Sequence, residues 1–389
     1  MPMPRALPLR WAWLRPNNIM STRSCFSSEV PAGANVGRGA GSGSSVDEVS
    51  ISRAADRLLA GELVAFPTET VYGLGADAEN PHAVARIYAA KGRPSNHPVI
   101  VHVAPGADLH YWAREIPPQA QRLIEAFWPG PLTLILPRVA ERGEVVSGGQ
   151  DSIGLRCPSH PVAQALLSAF AAGKPNGQGG VAAPSANKFG QVSPTHANHV
   201  RSEFPAEVAQ GMPVLDGGPS EVGIESTILD LSRLAQGAGP VLLRPGHITP
   251  AQIEAVLGEP VGMPDAAAPR ASGTLKAHYA PHTPLELVTL QRLAEVANGQ
   301  ALPAGQVAVV AFDTAPQALD DRIIWHTVAN DPASYAQSLY AMLRELDSGR
   351  YARILVQTPP QDASWRAVND RIGRAAAAFS LDTTDLSET

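Results

Sequence analysis

The sequence predicts an α/β protein with two folded parts, a twisted mixed sheet with packed helices followed by a smaller Rossmann-like open-sheet domain. Three observations carry this. At 389 residues the chain is long for a single domain. Short apolar runs alternate with helical stripes, but without regular βαβ order before residue 258. Pro, Ala and Gly then dominate 258–284, after which a plainer strand–helix alternation begins. The resulting division is 1–45 as an extension, 46–257 as the first domain, 258–284 as a linker and 285–389 as the second domain.

The first 45 residues hold five arginines against one acid, Glu29. Such a segment is either an organelle transit peptide or an over-extended start with Met20 as the true initiator. Pro2, Pro4, Pro8 and Pro16 interrupt any amphipathic helix and favour the second reading. Folded structure is expected from Ser45-Val-Asp-Glu48, a capping-box pattern leading into the stripe Ile51, Ala54, Ala55, Leu58 and Leu59, closed by Gly61. Leu63–Pro67 reads as a buried strand entering the polar turn Thr68-Glu69-Thr70. Asn80-Pro81 caps and starts a helix that ends at Lys91-Gly92. Strands are expected at 99–103, 132–136, 152–156, 180–183, 226–231 and 241–244, and helices at 119–127, 161–171 and, behind the Thr249 cap, 250–257. In the second domain, strands fall at 307–312, 323–328 and 353–358, with helices at 332–346 and 364–379.

Composition excludes several function classes. A net charge of -6 offers no bulk attraction to nucleic acid, so tight direct RNA binding is not favoured. Cys25 and Cys157 belong to no CxxC or Cys/His cluster, so no zinc site is expected, and so few cysteines fit a reducing, cytoplasmic setting. No apolar run reaches eighteen residues, so no membrane helix is expected. Gly73-Leu-Gly75-Ala-Asp-Ala78 imitates a dinucleotide fingerprint, but the following helix starts too late and no βαβ unit follows. Gly173-Lys174 lacks the upstream glycine of a P-loop, and no GxSxG elbow exists.

Polar clusters at strand and helix ends remain. Lys91-Gly-Arg93-Pro-Ser95-Asn96-His97-Pro98 offers two cations, a hydroxyl, an amide and an imidazole, which suits a triphosphate when no P-loop is present. A solvated helix end, with Lys91 complementing the dipole, explains the same residues. Ala183-Pro-Ser185-Ala-Asn187 and Gln191-Val-Ser193-Pro-Thr195 fit either close ligand approach or plain polar turns. Arg156, Glu225-Ser226-Thr227 and Arg244-Pro-Gly246 complete the set, although an arginine at a strand end is usually a surface residue.

In this order the motifs Phe66-Pro-Thr-Glu-Thr-Val-Tyr-Gly-Leu-Gly75, Lys91–Pro98, Ala183–Asn187 with Ser193-Pro-Thr195, and Gly223-Ile-Glu-Ser-Thr227 resemble the YrdC-like domain. With Arg244-Pro-Gly246, the linker motif His278-Tyr-Ala-Pro281 and a small α/β domain, the chain resembles the two-domain threonylcarbamoyl-AMP synthases over roughly 47–380. In the last domain only Leu346-Asp347 and Asn369-Asp-Arg371 match well. The resemblance implies a YrdC-like fold around a concave, positively lined cavity. It implies a nucleotidyltransferase that joins L-threonine, bicarbonate and ATP into threonylcarbamoyl-AMP and pyrophosphate. A downstream transferase complex would use that product to make N6-threonylcarbamoyladenosine in tRNA. Thr68, His97, Arg156 and Ser226 would bind threonine. Lys91, Arg93, Ser95, Asn96, Ser185, Asn187, Ser193, Arg244 and Tyr279 would contact ATP, with Tyr279 part of a lid. Lys91, Arg93 and Arg156 would carry the chemistry, and Mg²⁺ would come with ATP rather than on protein ligands. The alternatives are a non-catalytic RNA-binding or ribosome-associated module and a carbamoyl-transfer enzyme of hydrogenase maturation. The latter would need zinc-finger cysteines and an acylphosphatase-like region, which the sequence lacks.

Overall fold

A computed structural model describes residues 47–300 and 302–380, all within one compact unit; the expectations for residues 1–45 lie outside that range. The chain opens with α1 (Glu48–Leu59), β1 (Val64–Phe66), β2 (Gly73–Asp77), α2 (Pro81–Lys91), β3 (Val101–His102), α3 (Pro118–Phe127) and β4 (Leu132–Pro137). It continues through α4 (Glu144–Ser147), β5 (Ser152–Arg156), α5 (Pro161–Ala172), β6 (Val181–Ala182), α6 (Ala197–Glu203) and α7 (Pro205–Ala209). β7 (Thr227–Asp230), β8 (Val241–Arg244) and α8 (Pro250–Leu257) complete the first part. The second part contains β9 (Leu285–Val288), α9 (Leu290–Ala297), β10 (Val307–Ala311), β11 (Ile323–Thr327), α10 (Pro332–Ser348), β12 (Arg353–Gln357) and α11 (Arg366–Ala377).

Local chemistry sets most boundaries. Asn80 caps α2 by accepting from the His82 and Ala83 N–H groups, Pro81 occupies the first turn, and Gly92 ends the helix in the left-handed region. Thr249 and Gln252 form a reciprocal capping box at α8. At α1 the cap is Asp47, which accepts from the Ser50 N–H, rather than the expected Ser45. The glycines at 73 and 75 form β2, antiparallel to β1, and not a loop that waits for a cofactor. Lys174 likewise pairs with Asp77 at 2.6 Å.

The first sheet has eight strands in the order β1-β2-β6-β3-β5-β4-β7-β8, parallel only at β3/β5 and β4/β7. The second has four, all parallel, in the order β11-β10-β12-β9. These are the mixed and open sheets the sequence predicts. Strand alternation divides the larger core. Val181 joins Leu58, Phe66, Leu166 and Phe170 from the side of α1 and α5. Its neighbour Ala182 joins Ile87, Trp112, Leu123 and Leu134 from the side of α2 and α3. A further core spans both parts: Val71, Val192, Ile224 and Tyr279 pack with Leu339, Tyr340, Ile354, Trp365 and Ile372.

Leu134 is fully buried in β4, whereas Leu290 is 64% exposed. Leu134→Ala should cost about 2–5 kcal/mol through lost burial and a cavity, and Leu290→Ala should stay within about 0.5 kcal/mol of the parent. Urea unfolding of the two variants checks the ordering.

Candidate active site

Strand ends of the large sheet and the linker surround a cavity of about 620 Å³, the open solvent at it included. Its lining includes Thr68, Lys91, Arg93, Arg156, Ser185, Asn187, Ser226 and Arg244 from the first domain, and Ser272, Gly273, His278 and Tyr279 from the linker. Nine of the predicted site residues therefore converge on one space: Thr68, Lys91, Arg93, Arg156, Ser185, Asn187, Ser226, Arg244 and Tyr279. Four do not line it. Ser95 and Asn96 are exposed on the turn after α2, and His97 is half-buried, edge-on to Phe189 at 5.5 Å. Ser193 is buried and donates its hydroxyl to the Glu225 carboxylate at 2.6 Å.

Lys91 is not a solvated helix end, being only 3% exposed. Its ammonium donates to the backbone carbonyls of Ser185 (2.6 Å) and Asn187, which ties α2 to the Ala183–Asn187 turn. Burial, reinforced by Arg93, holds its pKa well below the ordinary lysine range. Burial brings Arg93 down to about 10; it donates to Pro98 O at 2.7 Å and reaches the Ser272 hydroxyl at 3.4 Å. Arg244 donates through Nη2 to Ser226 O at 2.9 Å and through Nη1 to Ser272 O at 2.8 Å. A β-carbon at Gly246 would sit 2.4 Å from Thr227 N, so only glycine lets the Arg244-Pro-Gly246 turn lie against Glu225–Thr227.

Arg156 ends β5 and approaches Glu69 to 2.7 Å, with both side chains 4% exposed. The approach lacks hydrogen-bond alignment, and both Glu69 carboxylate oxygens and Arg156 Nη2 are left without hydrogen-bond partners. Thr68 donates to Val71 O at 2.6 Å, which closes the turn after β1. Asn187 donates to Lys188 O and Gln191 O but keeps a buried, unpartnered Oδ1.

Several participants escaped the sequence reading. His102 lines the cavity from β3 with an unpartnered Nδ1, and burial, then Arg156, lowers its pKa to about 3, so the imidazole is neutral. It sits alone in an apolar strand, so no local spacing could announce it. Glu69 belongs to the polar turn and to the Phe66–Gly75 motif, neither of which assigns it a role. The carboxylate of Glu225, noted only as part of a motif, accepts from Ser193, Tyr340 (2.9 Å) and Arg371 (2.8 Å). Burial alone would raise Glu225, but Arg371 and Arg244 together with the Ser193 hydroxyl hold it at about 2.

Two family models cover most of the chain. One, described as telomere recombination and labelled for Sua5, YciO and YrdC, matches residues 56–246. The other, described as the threonylcarbamoyl-AMP synthase C-terminal domain, matches 248–377. The chain is 34% identical over 346 residues to a threonylcarbamoyl-AMP synthase of Pyrococcus abyssi, covering 85% of this chain and 95% of that one. It is 37% identical over 341 residues to the Bacillus subtilis protein of the same name, covering 85% and 94%. A crystal structure of P. abyssi Sua5 complexed with L-threonine superposes with a TM-score of 0.73 at 35% identity, covering 86% of this chain and 96% of that one.

Because Glu225 titrates at about 2 in the folded chain against an ordinary 4.5, its interactions stabilise the protein above that ordinary value and fade as pH falls toward the lower one. The stability gap between the parent and Glu225→Gln should therefore narrow by about 2 kcal/mol between roughly pH 6 and pH 3. A gap independent of pH in urea titrations would show that the carboxylate is not held this way.

Proposed function

The chain belongs to the threonylcarbamoyl-AMP synthase family, and on that premise we propose that it joins L-threonine, bicarbonate and ATP into threonylcarbamoyl-AMP and pyrophosphate. The observation that carries this reading is the convergence of Lys91, Arg93, Arg156 and Arg244, all buried, on one cavity with Thr68, Ser185, Asn187 and Ser226. Cations and neutral donors in that number suit a substrate with several negative charges. A non-catalytic RNA-binding module is not favoured, because these cations are buried around a cavity rather than spread over a surface.

In the proposed reaction bicarbonate takes up a proton and loses water to give carbon dioxide. The threonine amine attacks it and loses a proton to become an N-carboxylate, so that one water is released and no net proton is consumed. A carboxylate oxygen then attacks the α-phosphorus of ATP, and the bond to the β-phosphate oxygen breaks as pyrophosphate leaves. We assign threonine to Thr68, Arg156 and Ser226, with Arg156 facing the amino-acid carboxylate. Lys91, Arg93 and Arg244 take the polyphosphate, and Ser185 and Asn187 the nucleotide. The unpartnered Asn187 Oδ1 is an acceptor for a nucleotide hydroxyl or amine. Carbamates hydrolyse readily, so the linker's exclusion of water serves the reaction better than a strong base would. Rate enhancement then comes from positioning and from offset of phosphate charge.

Glu225, the one carboxylate among the lining residues, is committed to Arg371, and no group of three or more His, Cys, Asp or Glu is placed for a metal among the described residues. Mg²⁺ would therefore be carried by the triphosphate and supply charge neutralisation there. The product is an activated acyl donor for a transferase complex acting on tRNA adenosine. We place the reaction in the cytoplasm, in keeping with two cysteines too few for a disulfide framework.

Pyrophosphate release from ATP should require both threonine and bicarbonate, and Lys91→Ala should lower it by about ten- to a hundredfold through loss of a buried charge-assisted contact. Amino-acid-independent release in a folded, ATP-binding protein would reject the synthase. Since the Lys91 pKa is held down in the free cavity, an arriving polyphosphate should raise it, so ATP binding should take up protons at pH values between the lowered and the raised pKa. Calorimetry in buffers of different ionisation enthalpy reads this uptake, and Lys91→Met should reduce it.

A further inference from the structure

The second domain takes no part in the chemistry assigned above, yet its two long helices grip the cavity's cap at four places. Arg371, in α11, is fully buried. Its Nε donates to Glu225 at 2.8 Å and its Nη2 to Pro245 O at 3.0 Å, and its guanidinium carbon lies 5.3 Å from the Tyr279 ring centroid. One side chain thus touches the Glu225-Ser226 segment, the Arg244-Pro-Gly246 turn and the linker tyrosine. Tyr340, in α10, donates to the same Glu225 oxygen at 2.9 Å and packs on Tyr279 with ring centroids 5.6 Å apart. Arg374 donates to the linker carbonyls of Thr274 (2.7 Å) and Leu275, and its own carbonyl accepts from the His278 N–H at 3.2 Å. At the linker's exit Asp347 accepts from the His282 N–H at 3.0 Å and the Thr283 N–H at 2.7 Å.

Tyr279 requires such a grip. Its φ of 62° is left-handed, a conformation a bulky residue keeps only when its surroundings hold it there. Its hydroxyl donates to Gly273 O at 3.3 Å, both residues line the cavity, and the ring is 1% exposed. The first domain supplies a backbone bond from Ala280 N to Gly190 O, the neighbouring His278 ring lies 4.2 Å away, and α10 and α11 add Tyr340 and Arg371 against the ring. The contact is close enough that a β-carbon at Gly223 would lie 2.4 Å from the Gln337 Cα.

We propose that Arg371 is a positioning residue for the reaction: through Glu225 and Tyr279 it locks the linker over the nucleotide part of the cavity, and this lock is the second domain's task. The proposal rests on the synthase reading, in which Ser226, Arg244 and Tyr279 meet the substrates. It predicts effects on nucleotide retention rather than on threonine binding. It also gives the Asn369-Asp-Arg371 and Leu346-Asp347 motifs a shared purpose, since Arg371 meets the linker at Tyr279 and Asp347 meets it at His282 and Thr283.

The test is steady-state kinetics on the full chain with Arg371→Met, Arg371→Lys and Tyr340→Phe, alongside chymotryptic cutting after Tyr279. Arg371→Met should raise KM for ATP about tenfold or more, with KM for threonine changed less than about threefold. It should also increase the share of ATP cleaved without threonylcarbamoyl-AMP formed. Arg371→Lys keeps the charge without the fork and should recover part of the loss. Tyr340→Phe removes a single hydroxyl, so it keeps the proposal testable if Arg371→Met fails to fold; its KM for ATP should rise about threefold. A purely structural role would lower kcat with the folded fraction and leave both KM values and the coupling unchanged, and that result overturns the proposal. If the parent chain releases no pyrophosphate with threonine, the synthase reading falls and the proteolysis decides the lock separately. Faster cutting after Tyr279 in the folded variants supports it, and an unchanged rate overturns it.

Discussion

Lys91, Arg93, Arg156 and Arg244 lie almost wholly out of water around one cavity, and removing a charge from water costs several kcal/mol per ion unless dipoles or opposite charges replace the solvent. The way each cation is compensated shapes the surroundings. Lys91 and Arg244 take main-chain carbonyls at Ser185, Asn187, Ser226 and Ser272, and Arg93 takes Pro98 O, so the turns that follow β6, precede β7 and enter the linker are fixed by the charges they face. Arg156 faces Glu69 and also donates through Nε to Gly130 O at 3.3 Å. Carbonyl dipoles leave the net positive charge in place, and a polyanion entering the cavity meets donors already oriented. Most of the cost has therefore been met during folding.

Glu225 is the counterweight. It accepts from Ser193 beside the cavity and from Tyr340 and Arg371 of the second domain. A buried pair of this kind contributes little net stability compared with apolar packing, but breaking it strands a charge. Its value is geometric. The same guanidinium that satisfies Glu225 supports Tyr279, so closure of the linker and placement of Ser226 and Arg244 depend on one set of bonds. The apolar core shared by Ile224, Tyr279, Leu339 and Ile372 surrounds that set and excludes water from it.

How much of this was legible in the sequence followed how local each signal is. Helices α2 and α8 carry their own punctuation in Asn80-Pro81, Gly92 and Thr249, and they begin and end where those residues put them. β2 is poor in side chains, and its glycines are needed because β-carbons at 73 and 75 would crowd Phe66 and Val181; no pattern in 73–77 spells strand. β9 and α9 follow directly on the proline-rich stretch and lack a strong alternation to set them apart. At the site, the motif residues were recognised as a group, because isolated turns of Ser, Asn and Pro are ambiguous one by one. Lys91 shows the limit: helix-end chemistry and buried-cation chemistry use the same residue, and only the positions of Ser185 and Asn187 in space decide between them. His102 and the Glu225–Arg371 pair, 146 residues apart in sequence, depend wholly on tertiary contact.

The central claim is that this cavity couples threonine, bicarbonate and ATP in one product. The most direct measurement is mass spectrometry of a reaction run with L-threonine, ATP and carbon-13 bicarbonate, quenched before the carbamate can hydrolyse. The expected product is an adenylate carrying threonine and the heavy carbon, in amounts matching the pyrophosphate released. Pyrophosphate or ADP formed without any labelled adenylate would contradict it.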